Sequence, residues 1–448
     1  MQSKFLMWAI TLYALMTAIS SDAFTINHAL VSIYVVRMDT GEVIMDQNSE
    51  LSLIPASCMK IATTGAALHL LGVEGRFETK LEYDGFIDSQ KTLHGNIYIR
   101  GGGDPCLGSD RIAGNLSWEK QIEVWADAVQ KLGLQRIEGR VIGDATKWEK
   151  ALAAPSWSWE DLGNYYGAGA SALSFHENAY SLFFRPGEKV GDDAPILYTD
   201  PPTSLLAFQN EVKTGPEGSG DQAWIFASEF SSIQFVRGTI PAAVHEFVIK
   251  GAILNPALTC SDLLMQGLRK RKISVGGGSL KERKEKTLFH TTSSPTIKEI
   301  VYWTNQKSIN LYAEHLLKAL GEKLYGEGST ASGARAVSAF WKSQQLDLEG
   351  FNIADGSGLS RKNLVTAKQF VGMLLKMKES KYFPYFFESL PQKNSAIRAK
   401  SGSMSLIKGY VGYMGNLAFA VLVNQCLDAK LMNEKIESLL AELETLGH

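Results

Sequence analysis

The sequence changes character twice, near residues 76 and 290, and this division constrains the fold more than any other feature. Residues 24–75 have the pattern of a β-hairpin followed by a largely apolar helix that begins at Ser57. Residues 76–289 consist of short strand-like runs broken by glycine- and proline-rich turns, whereas residues 290–448 return to helical patterns. We therefore predict one α/β unit, residues 24–75 and 290–448, interrupted by a β-rich insertion.

The end of the chain predicts three further elements of this unit. Leu406–Met414 and Leu417–Val423 flank Gly415-Asn416, a two-residue hairpin turn. Leu431–Leu446 carries leucine and isoleucine at helical spacing, with Leu431 as the first residue of the stripe. We expect that stripe to pack on the sheet, and a helix lying on a membrane surface is the alternative.

The first 23 residues predict a secretory signal peptide. Lys4 precedes a mostly apolar run, Phe5–Ile19, and small residues follow it up to Ala23. The run is short for a bilayer span, and no later segment is apolar enough to be one. We therefore expect a periplasmic or secreted protein that has no transmembrane anchor after the signal is cleaved.

Composition removes several classes of function. The 448 residues carry a net charge of −2, which leaves no basic surface for nucleic acid. The four cysteines lack the paired spacing of a zinc site, so we predict no metal and no cofactor, and the pairing of the cysteines stays open. The patterns G-x-S-x-G, His-Glu-x-x-His and G-x-G-x-x-G are absent, and nothing locates a Ser-His-Asp triad.

Ser57 and Lys60 form the first of three short motifs that together indicate a chemistry. Residues three apart on a helix have Cβ atoms roughly 5–6 Å apart, so the Lys60 amine can reach the Ser57 hydroxyl. Partial burial lowers the pKa of a lysine and leaves a base that can activate the serine as a nucleophile. At a helix start the Ser57 N–H has no intrahelical partner, so it can bind an oxyanion.

The other two motifs supply the rest of an acyl-transfer site. In Ser308-Ile309-Asn310 the serine hydroxyl can relay a proton and the asparagine amide can hold a substrate carbonyl. In Lys400-Ser401-Gly402 the lysine and the serine hydroxyl can bind a terminal carboxylate. The small residues there let a substrate backbone lie along a strand edge, and the Ser403 N–H can complete the oxyanion hole.

Each motif also has competitors elsewhere in the chain. Ser117 and Lys120 lie in a polar, tryptophan-flanked segment, and Lys213-Thr214-Gly215 runs into a proline and a glycine-rich loop. Ser405 and Lys408 lie in a predicted strand, where a spacing of three puts two side chains on opposite faces. Context therefore favours the first set, and a coincidence of unrelated tripeptides is the alternative interpretation.

The three motifs, in this order, resemble those of penicillin-binding proteins and serine β-lactamases. Further stretches resemble more specifically the class C low-molecular-mass penicillin-binding proteins, the D-alanyl-D-alanine carboxypeptidase/endopeptidase of DacB type. These stretches are Gly101–Pro105, Trp157–Asp161, Tyr165–Ala168, Ser308–Glu314 and Asp355–Arg361. The resemblance implies a transpeptidase/β-lactamase-like α/β domain, an antiparallel sheet with helices on both faces, interrupted by two β-rich inserted domains.

The resemblance also implies an activity. Its substrates are peptidoglycan stem peptides, cleaved at the terminal D-Ala-D-Ala bond through an acyl-enzyme on Ser57, and β-lactam antibiotics are its covalent inhibitors. Some members also cut peptide cross-bridges. By position, Asp161 and Tyr166 resemble the inserted-domain residues that contact the diaminopimelate side chain, and a packed core is the alternative for the cluster of Trp157 and Trp159.

The chain departs from the family pattern near the third motif. Ser401 stands where threonine is commoner, which keeps the hydroxyl. The segment from Leu390 to Lys400 is shorter than usual, which puts the shape of one rim and cross-bridge cutting in doubt.

Two other functions stay open. A serine β-lactamase needs an efficient deacylation base, and the long insertion argues against it. A non-catalytic wall-binding protein on the same fold is the second, and the intact motif residues argue against that.

Overall fold

The computed structural model describes residues 24–202, 205–278, 280 and 282–446, so the predicted signal peptide lies outside the described residues. The strands are, in chain order, β1 (Leu30–Arg37), β2 (Val43–Gln47), β3 (Glu78–Tyr83), β4 (Phe86–Ile87), β5 (Thr92–His94), β6 (Ile97–Arg100), β7 (Arg136–Ile137), β8 (Val141–Asp144), β9 (Ala179–Phe184), β10 (Ile196–Asp200), β11 (Ala207–Gly215), β12 (Gln222–Phe226), β13 (Ile233–Pro241), β14 (Phe247–Ala252), β15 (Ser274–Val275), β16 (Thr287–Ser293), β17 (Ile397–Met404), β18 (Ile407–Met414) and β19 (Leu417–Asn424). The α-helices are α1 (Lys60–Leu70), α2 (Trp118–Lys131), α3 (Pro256–Lys270), α4 (Ile297–Gln306), α5 (Asn310–Tyr325), α6 (Thr330–Ser343), α7 (Ala367–Glu379), α8 (Phe383–Ser389) and α9 (Ala429–Leu446).

A five-stranded antiparallel sheet forms the centre of the α/β unit, in the order β17-β18-β19-β1-β2. The first hairpin of the chain and its last three strands pair in this sheet, with Leu30 opposite Asn424 and Arg37 opposite Leu417. Both predicted hairpins are confirmed. The two ends of the chain therefore close one sheet across the insertion, and β17 lies at its edge.

Helices cover both faces of this sheet. On one face Val36, Ala420 and Leu422 pack in a cluster with α1, α5 and α7. On the other face Ile33 and Val35 pack with residues of α9. Neighbouring residues of a strand point to opposite faces, so a nearly continuous apolar strand is what two covered faces require. The predicted fold class, an antiparallel sheet between helical layers, is confirmed.

The apolar stripe near the end of the chain packs on the sheet as expected. Met432, Ile436 and Leu440 of α9 are buried in the cluster on that face. The prediction is wrong for Leu431, which is 38% exposed because it lies on the outer side of the first turn. Within the described part of the chain, no helix combines the length and apolar character that crossing a membrane requires.

The β-rich insertion contains two separate apolar cores. One joins Trp125 of α2 and Leu264 of α3 to short strands, and the other joins the sheet β10-β9-β14 to the sheet β11-β13-β12. Strand β16 pairs with β3, so the predicted boundary after residue 289 falls inside β16. The domain limits stay predictions.

The competing motifs have other structural roles. Ser117 caps α2 by accepting a hydrogen bond from Lys120 N, and Lys213-Thr214-Gly215 forms the last three residues of an edge strand, β11. The prediction for Ser405 is wrong, since this residue lies in the two-residue turn between β17 and β18 and is exposed. A two-residue turn forms here instead of a strand because its second residue, Leu406, adopts a left-handed backbone. All four cysteines are free and buried.

Candidate active site

The Ser57 side chain lies on a short turn in front of α1. Ala56–Met59 forms a 3₁₀ turn and the α-helix begins only at Lys60. Ala56 has a left-handed backbone (φ 45°), a conformation that costs an alanine about 1 kcal/mol or more. A Cβ atom on Gly358 would lie 1.8 Å from the Ala56 carbonyl oxygen, and one on Gly402 would lie 2.5 Å from that of Pro55. The turn is therefore held between two segments that approach it closely because they carry glycine.

The Lys60 side chain is fully buried beside this serine. Its Nζ lies 3.1 Å from Ser57 Oγ, 2.7 Å from Asn310 Oδ1 and 2.7 Å from the Ser357 carbonyl oxygen. The two carbonyl oxygens can only accept, so each takes one N–H of the lysine. A neutral amine has two N–H groups and one lone pair, and the lone pair is then left facing the Ser57 hydroxyl. This arrangement can take a proton from the serine.

The surroundings of the amine favour its neutral form. Burial lowers the pKa of Lys60 well below its ordinary value, and the positive charge of Lys400 lowers it further. Asp355, Glu314 and Cys58 act in the opposite direction and raise the pKa, but burial has the largest effect. Lys60 is therefore suited to act as a base.

Asn310, the first residue of α5, faces the amine with a fixed orientation. Its Nδ2 donates a hydrogen bond of 2.9 Å to the Tyr166 carbonyl, which can only accept, and this leaves Oδ1 for Lys60. Ser308 lies two residues earlier, in a left-handed backbone with φ 56°. The structure thus joins Asn310 to Lys60 by a direct hydrogen bond, whereas the Ser308 hydroxyl forms none with the described residues.

The third motif lies on β17, the edge strand that packs on the Ser57 turn. The thiol of Cys58 donates to the Lys400 carbonyl at 3.4 Å, and Lys400 Nζ donates to the Ser401 carbonyl at 2.6 Å. Burial lowers the pKa of Lys400 to about 8. Burial raises the pKa of Cys58 to about 12, so its thiolate does not compete with Ser57 as a nucleophile. Ser403 is exposed at the end of this strand.

Sequence reasoning missed Glu314, a buried carboxylate that binds the backbone next to the Lys60 amine. Glu314 accepts hydrogen bonds from the backbone N–H of Gly356 (3.2 Å) and of Ser357 (2.8 Å), and so holds the residue whose carbonyl contacts Lys60 from its N-terminal side. Burial raises the pKa of Glu314. It follows Asn310 by four residues on α5, and this same-face spacing is the signal that could have found it.

Asp355 was also missed, although it begins one of the stretches that resemble the family. It is fully buried and accepts hydrogen bonds from Gly358 N (2.7 Å), Ser360 N (2.5 Å) and Asn363 Nδ2 (2.7 Å). Trp157 of the insertion adds a fourth through its indole N–H, at 2.7 Å. The segment Asp355–Ser360, here called the 355–360 loop, is thus fixed from both parts of the chain.

The insertion reaches the site with one short segment, residues 157–166. The side chains of Asp161 and Tyr166 are half-buried and hydrogen-bonded to each other, and the Tyr166 carbonyl accepts from Asn310. Burial raises the pKa of Asp161, and the hydrogen bond from Tyr166 opposes that shift. Trp157 is buried as the core alternative expects, whereas Trp159 is 61% exposed.

A buried amine within hydrogen-bond distance of a serine hydroxyl, between an asparagine and an edge strand, is an arrangement typical of a serine-type acyl-transfer enzyme. A family model described as the D-Ala-D-Ala carboxypeptidase 3 (S13) family matches residues 14–445. The chain belongs to this family. The resemblance to penicillin-binding carboxypeptidases and the assignment as a serine-type enzyme are thereby confirmed.

Individual relatives agree with this membership. The chain is 25% identical to a D-alanyl-D-alanine carboxypeptidase of Actinomadura sp. (strain R39), over 88% of this chain and 78% of the relative. It is 24% identical to D-alanyl-D-alanine carboxypeptidase DacB of Haemophilus influenzae, over 85% and 78% respectively. The solved structure of penicillin binding protein 4 (dacB) from H. influenzae superposes with a TM-score of 0.79 at 20% identity, over 96% of this chain and 99% of that chain, and shows the same fold.

Proposed function

We propose that this D-Ala-D-Ala carboxypeptidase forms an acyl-enzyme on Ser57, with Lys60 as the base. One observation carries the proposal. The buried Lys60 Nζ lies 3.1 Å from Ser57 Oγ and within hydrogen-bond distance of two carbonyl oxygens, so in the neutral amine both N–H groups can go to the carbonyls and the lone pair to the hydroxyl. A charged ammonium would instead donate its third proton to Ser57 Oγ, but burial lowers the pKa of Lys60 and so favours the neutral base that attack on an amide requires.

The reaction then follows from the positions of the groups. Lys60 takes the Ser57 proton as Oγ attacks the carbonyl carbon of the penultimate D-alanine. The N–H groups of Ser57 and Ser403 hold the resulting oxyanion. Protonated Lys60, with the Ser308 hydroxyl as relay, gives a proton to the leaving D-alanine amine. A water molecule then hydrolyses the ester, with the lysine acting as base again.

Two further groups of residues select the substrate. Lys400 and the Ser401 hydroxyl bind the terminal carboxylate, and Gly402 leaves space for the substrate backbone along the edge of β17. Asp161 and Tyr166 contact the amino-acid side chain that extends toward the insertion, with diaminopimelate as the side chain that the resemblance implies. The half-buried Asp161 carboxylate suits a cationic amine.

The proposed substrates are peptidoglycan stem peptides, and cross-bridges of the same peptides are an additional target. Residues 1–23 are proposed as a signal peptide that exports the chain to the periplasm or the outside of the cell. Penicillins are proposed as covalent inhibitors that acylate Ser57, because their strained amide presents the same carbonyl to the same nucleophile.

Release of D-alanine from a pentapeptide that ends in D-Ala-D-Ala tests the proposal. We expect turnover by the wild-type protein and a loss of about 10⁴-fold or more in Ser57→Ala, since removal of a nucleophile leaves only binding and the oxyanion hole. Ser117→Ala is the matched control, because Ser117 belongs to a competing S-x-x-K pattern, and it should retain wild-type turnover. Equal turnover by Ser57→Ala and wild type would show that Ser57 is not the nucleophile, whereas no turnover by the folded wild-type protein would favour the non-catalytic alternative.

The pH dependence of turnover tests the role of Lys400. Its pKa of about 8 means that the ammonium is present below pH 8 and is lost as the pH rises above it. For a peptide with a free C-terminal carboxylate, kcat/KM should therefore fall above about pH 8, since kcat/KM reports the free enzyme. The same peptide with a C-terminal amide has no charge for Lys400 to bind and should lack this fall. Identical falling limbs for both peptides would remove Lys400 from carboxylate binding.

The β-lactamase alternative makes a different prediction about the acyl-enzyme. A peptidase of this kind should keep a penicilloyl group on Ser57 for minutes or longer, whereas a β-lactamase has an efficient deacylation base that releases the group quickly. Rapid turnover of the penicillin would favour the β-lactamase.

A further inference from the structure

The two N–H groups of the neutral Lys60 amine point to two acceptors, and one inserted segment holds both acceptors in place. One goes to Asn310 Oδ1, and the Asn310 amide is held in turn by the Tyr166 carbonyl. The other goes to the Ser357 carbonyl, in the 355–360 loop that Trp157 holds through Asp355. Residues 157–166 of the insertion therefore bear on both acceptors that orient the amine of the α/β unit.

The 355–360 loop has little freedom of its own once these bonds are made. Asp355 accepts from four donors, and three of them, on Gly358, Ser360 and Asn363, belong to the loop or directly follow it. Trp157 is the donor that comes from the insertion, and it is itself buried (7% exposed). A buried carboxylate that loses one of its donors must shift or remain partly unsatisfied, and either outcome disturbs the backbone bound to it.

We propose that Trp157 is a positioning residue for the base: its indole N–H, through Asp355, fixes the 355–360 loop and thereby the Ser357 carbonyl that turns the lone pair of Lys60 toward Ser57. The insertion is then part of the catalytic machinery as well as a substrate-binding element. Asp161 and Tyr166 lie in the same segment as Trp157. A substrate bound to them therefore reaches both acceptors of the Lys60 amine, Asn310 Oδ1 and the Ser357 carbonyl, through this segment. This inference rests on the proposed function of Ser57 and Lys60.

The charges around Lys60 predict how the loss of this bond shows itself. Lys400 on β17 lowers the pKa of Lys60, whereas Asp355 in the loop, Glu314 on α5 and Cys58 in the turn raise it. The indole N–H offsets part of the negative charge of Asp355. Without it, that charge acts more strongly on Lys60, the neutral amine is less populated at neutral pH, and the acid limb of the acylation rate moves to higher pH.

The chain offers a closely matched control for this bond. Trp148 is also a buried tryptophan of the insertion (4% exposed), and its indole N–H donates at 2.8 Å to the Glu322 carboxylate on α5. Trp148→Phe therefore removes the same kind of bond between the same two parts of the chain. The carboxylate that loses its donor, Glu322, lies about three turns of α5 away from Asn310. If any weakened contact between the insertion and the α/β unit lowered the acylation rate, both variants would show the loss.

The experiment measures the second-order rate of acylation by a fluorescent penicillin between pH 5 and 10 in the full-length chain. For Trp157→Phe we expect a rate about tenfold lower at pH 7, the loss that corresponds to one hydrogen bond to a charged group, and an acid limb shifted to higher pH. Trp148→Phe should stay within about twofold of wild type with an unshifted limb. Incorporation of the benzothienyl analogue of tryptophan at position 157, which keeps the ring and removes the N–H, should repeat the effect of Trp157→Phe and carries the test if that variant does not fold.

Three results would overturn the inference. The first is a wild-type profile for the benzothienyl protein, and the second is an equal loss in the variants of Trp157 and Trp148. Either would leave the proposed function intact, because the wild-type protein would still be acylated. The third is no acylation of the wild-type protein, which would overturn the proposed function together with this inference.

Discussion

Lys60→Met should abolish acylation by penicillin, with a fall of about 10⁴-fold in rate, while the protein remains folded. The methionine fills nearly the same buried volume as the lysine, so packing beside α1 is preserved. What disappears is the lone pair that faces Ser57 Oγ, and a serine hydroxyl without a base is a weak nucleophile. Fluorescent penicillin labelling, with circular dichroism to check the fold, measures both parts of the prediction.

Lys318→Met is the control for replacing a buried lysine. Lys318 lies on α5 and is 1% exposed, and its ammonium donates to the carbonyls of Ala151 and Ala170 rather than to a reactive group. This variant should lose stability because carbonyls are left without a donor, yet it should still be labelled. Normal labelling of Lys60→Met would refute the assignment of the base.

Gly358→Ala should lower the free energy of unfolding by about 3 kcal/mol or more and should also prevent labelling of Ser57. Two costs add at this position. The backbone is left-handed (φ 87°), and the new Cβ would meet the Ala56 carbonyl oxygen at 1.8 Å, far inside van der Waals contact. Relief of that contact moves the turn that carries Ser57. Urea unfolding followed by tryptophan fluorescence measures the stability, and penicillin labelling measures the site.

Gly326→Ala separates the two costs. Gly326 ends α5 with a similar backbone (φ 72°), but a Cβ there would meet nothing within 4 Å. It should lose only about 1 kcal/mol and keep its labelling. Equal losses in the two variants would mean that the loop does not press on the Ser57 turn.

The pairing of Ser57 with Lys60 could be predicted from the sequence because it is local. A spacing of three residues puts two side chains on one face of a helical turn, and the 3₁₀ turn Ala56–Met59 that runs into α1 keeps them together. Asn310 lies 250 residues from Lys60, so no spacing rule places it there, and its motif predicts a substrate carbonyl rather than the lysine as the partner of its amide. The hydrogen bond between them is a property of the tertiary fold.

The roles of the supporting residues also depend on the tertiary fold, although the spacing of Glu314 from Asn310 is a local signal for one of them. Asp355 and Glu314 act through backbone N–H groups, and a sequence does not show which buried carboxylate will receive them. The left-handed backbones of Ala56 and Ser308 run against the preferences of both residue types, and only the packing around them maintains these conformations. For Trp157, the packed-core interpretation accounts for the ring but not for its N–H, which the insertion directs into the α/β unit.

Mass spectrometry of the penicillin-treated protein, first intact and then as peptides, tests the central claim most directly. A buried amine that makes one serine reactive predicts a single added penicilloyl group, located on the peptide that contains Ser57 and absent from both Ser57→Ala and Lys60→Met. An adduct on any other residue, or none on the folded wild-type protein, would contradict it.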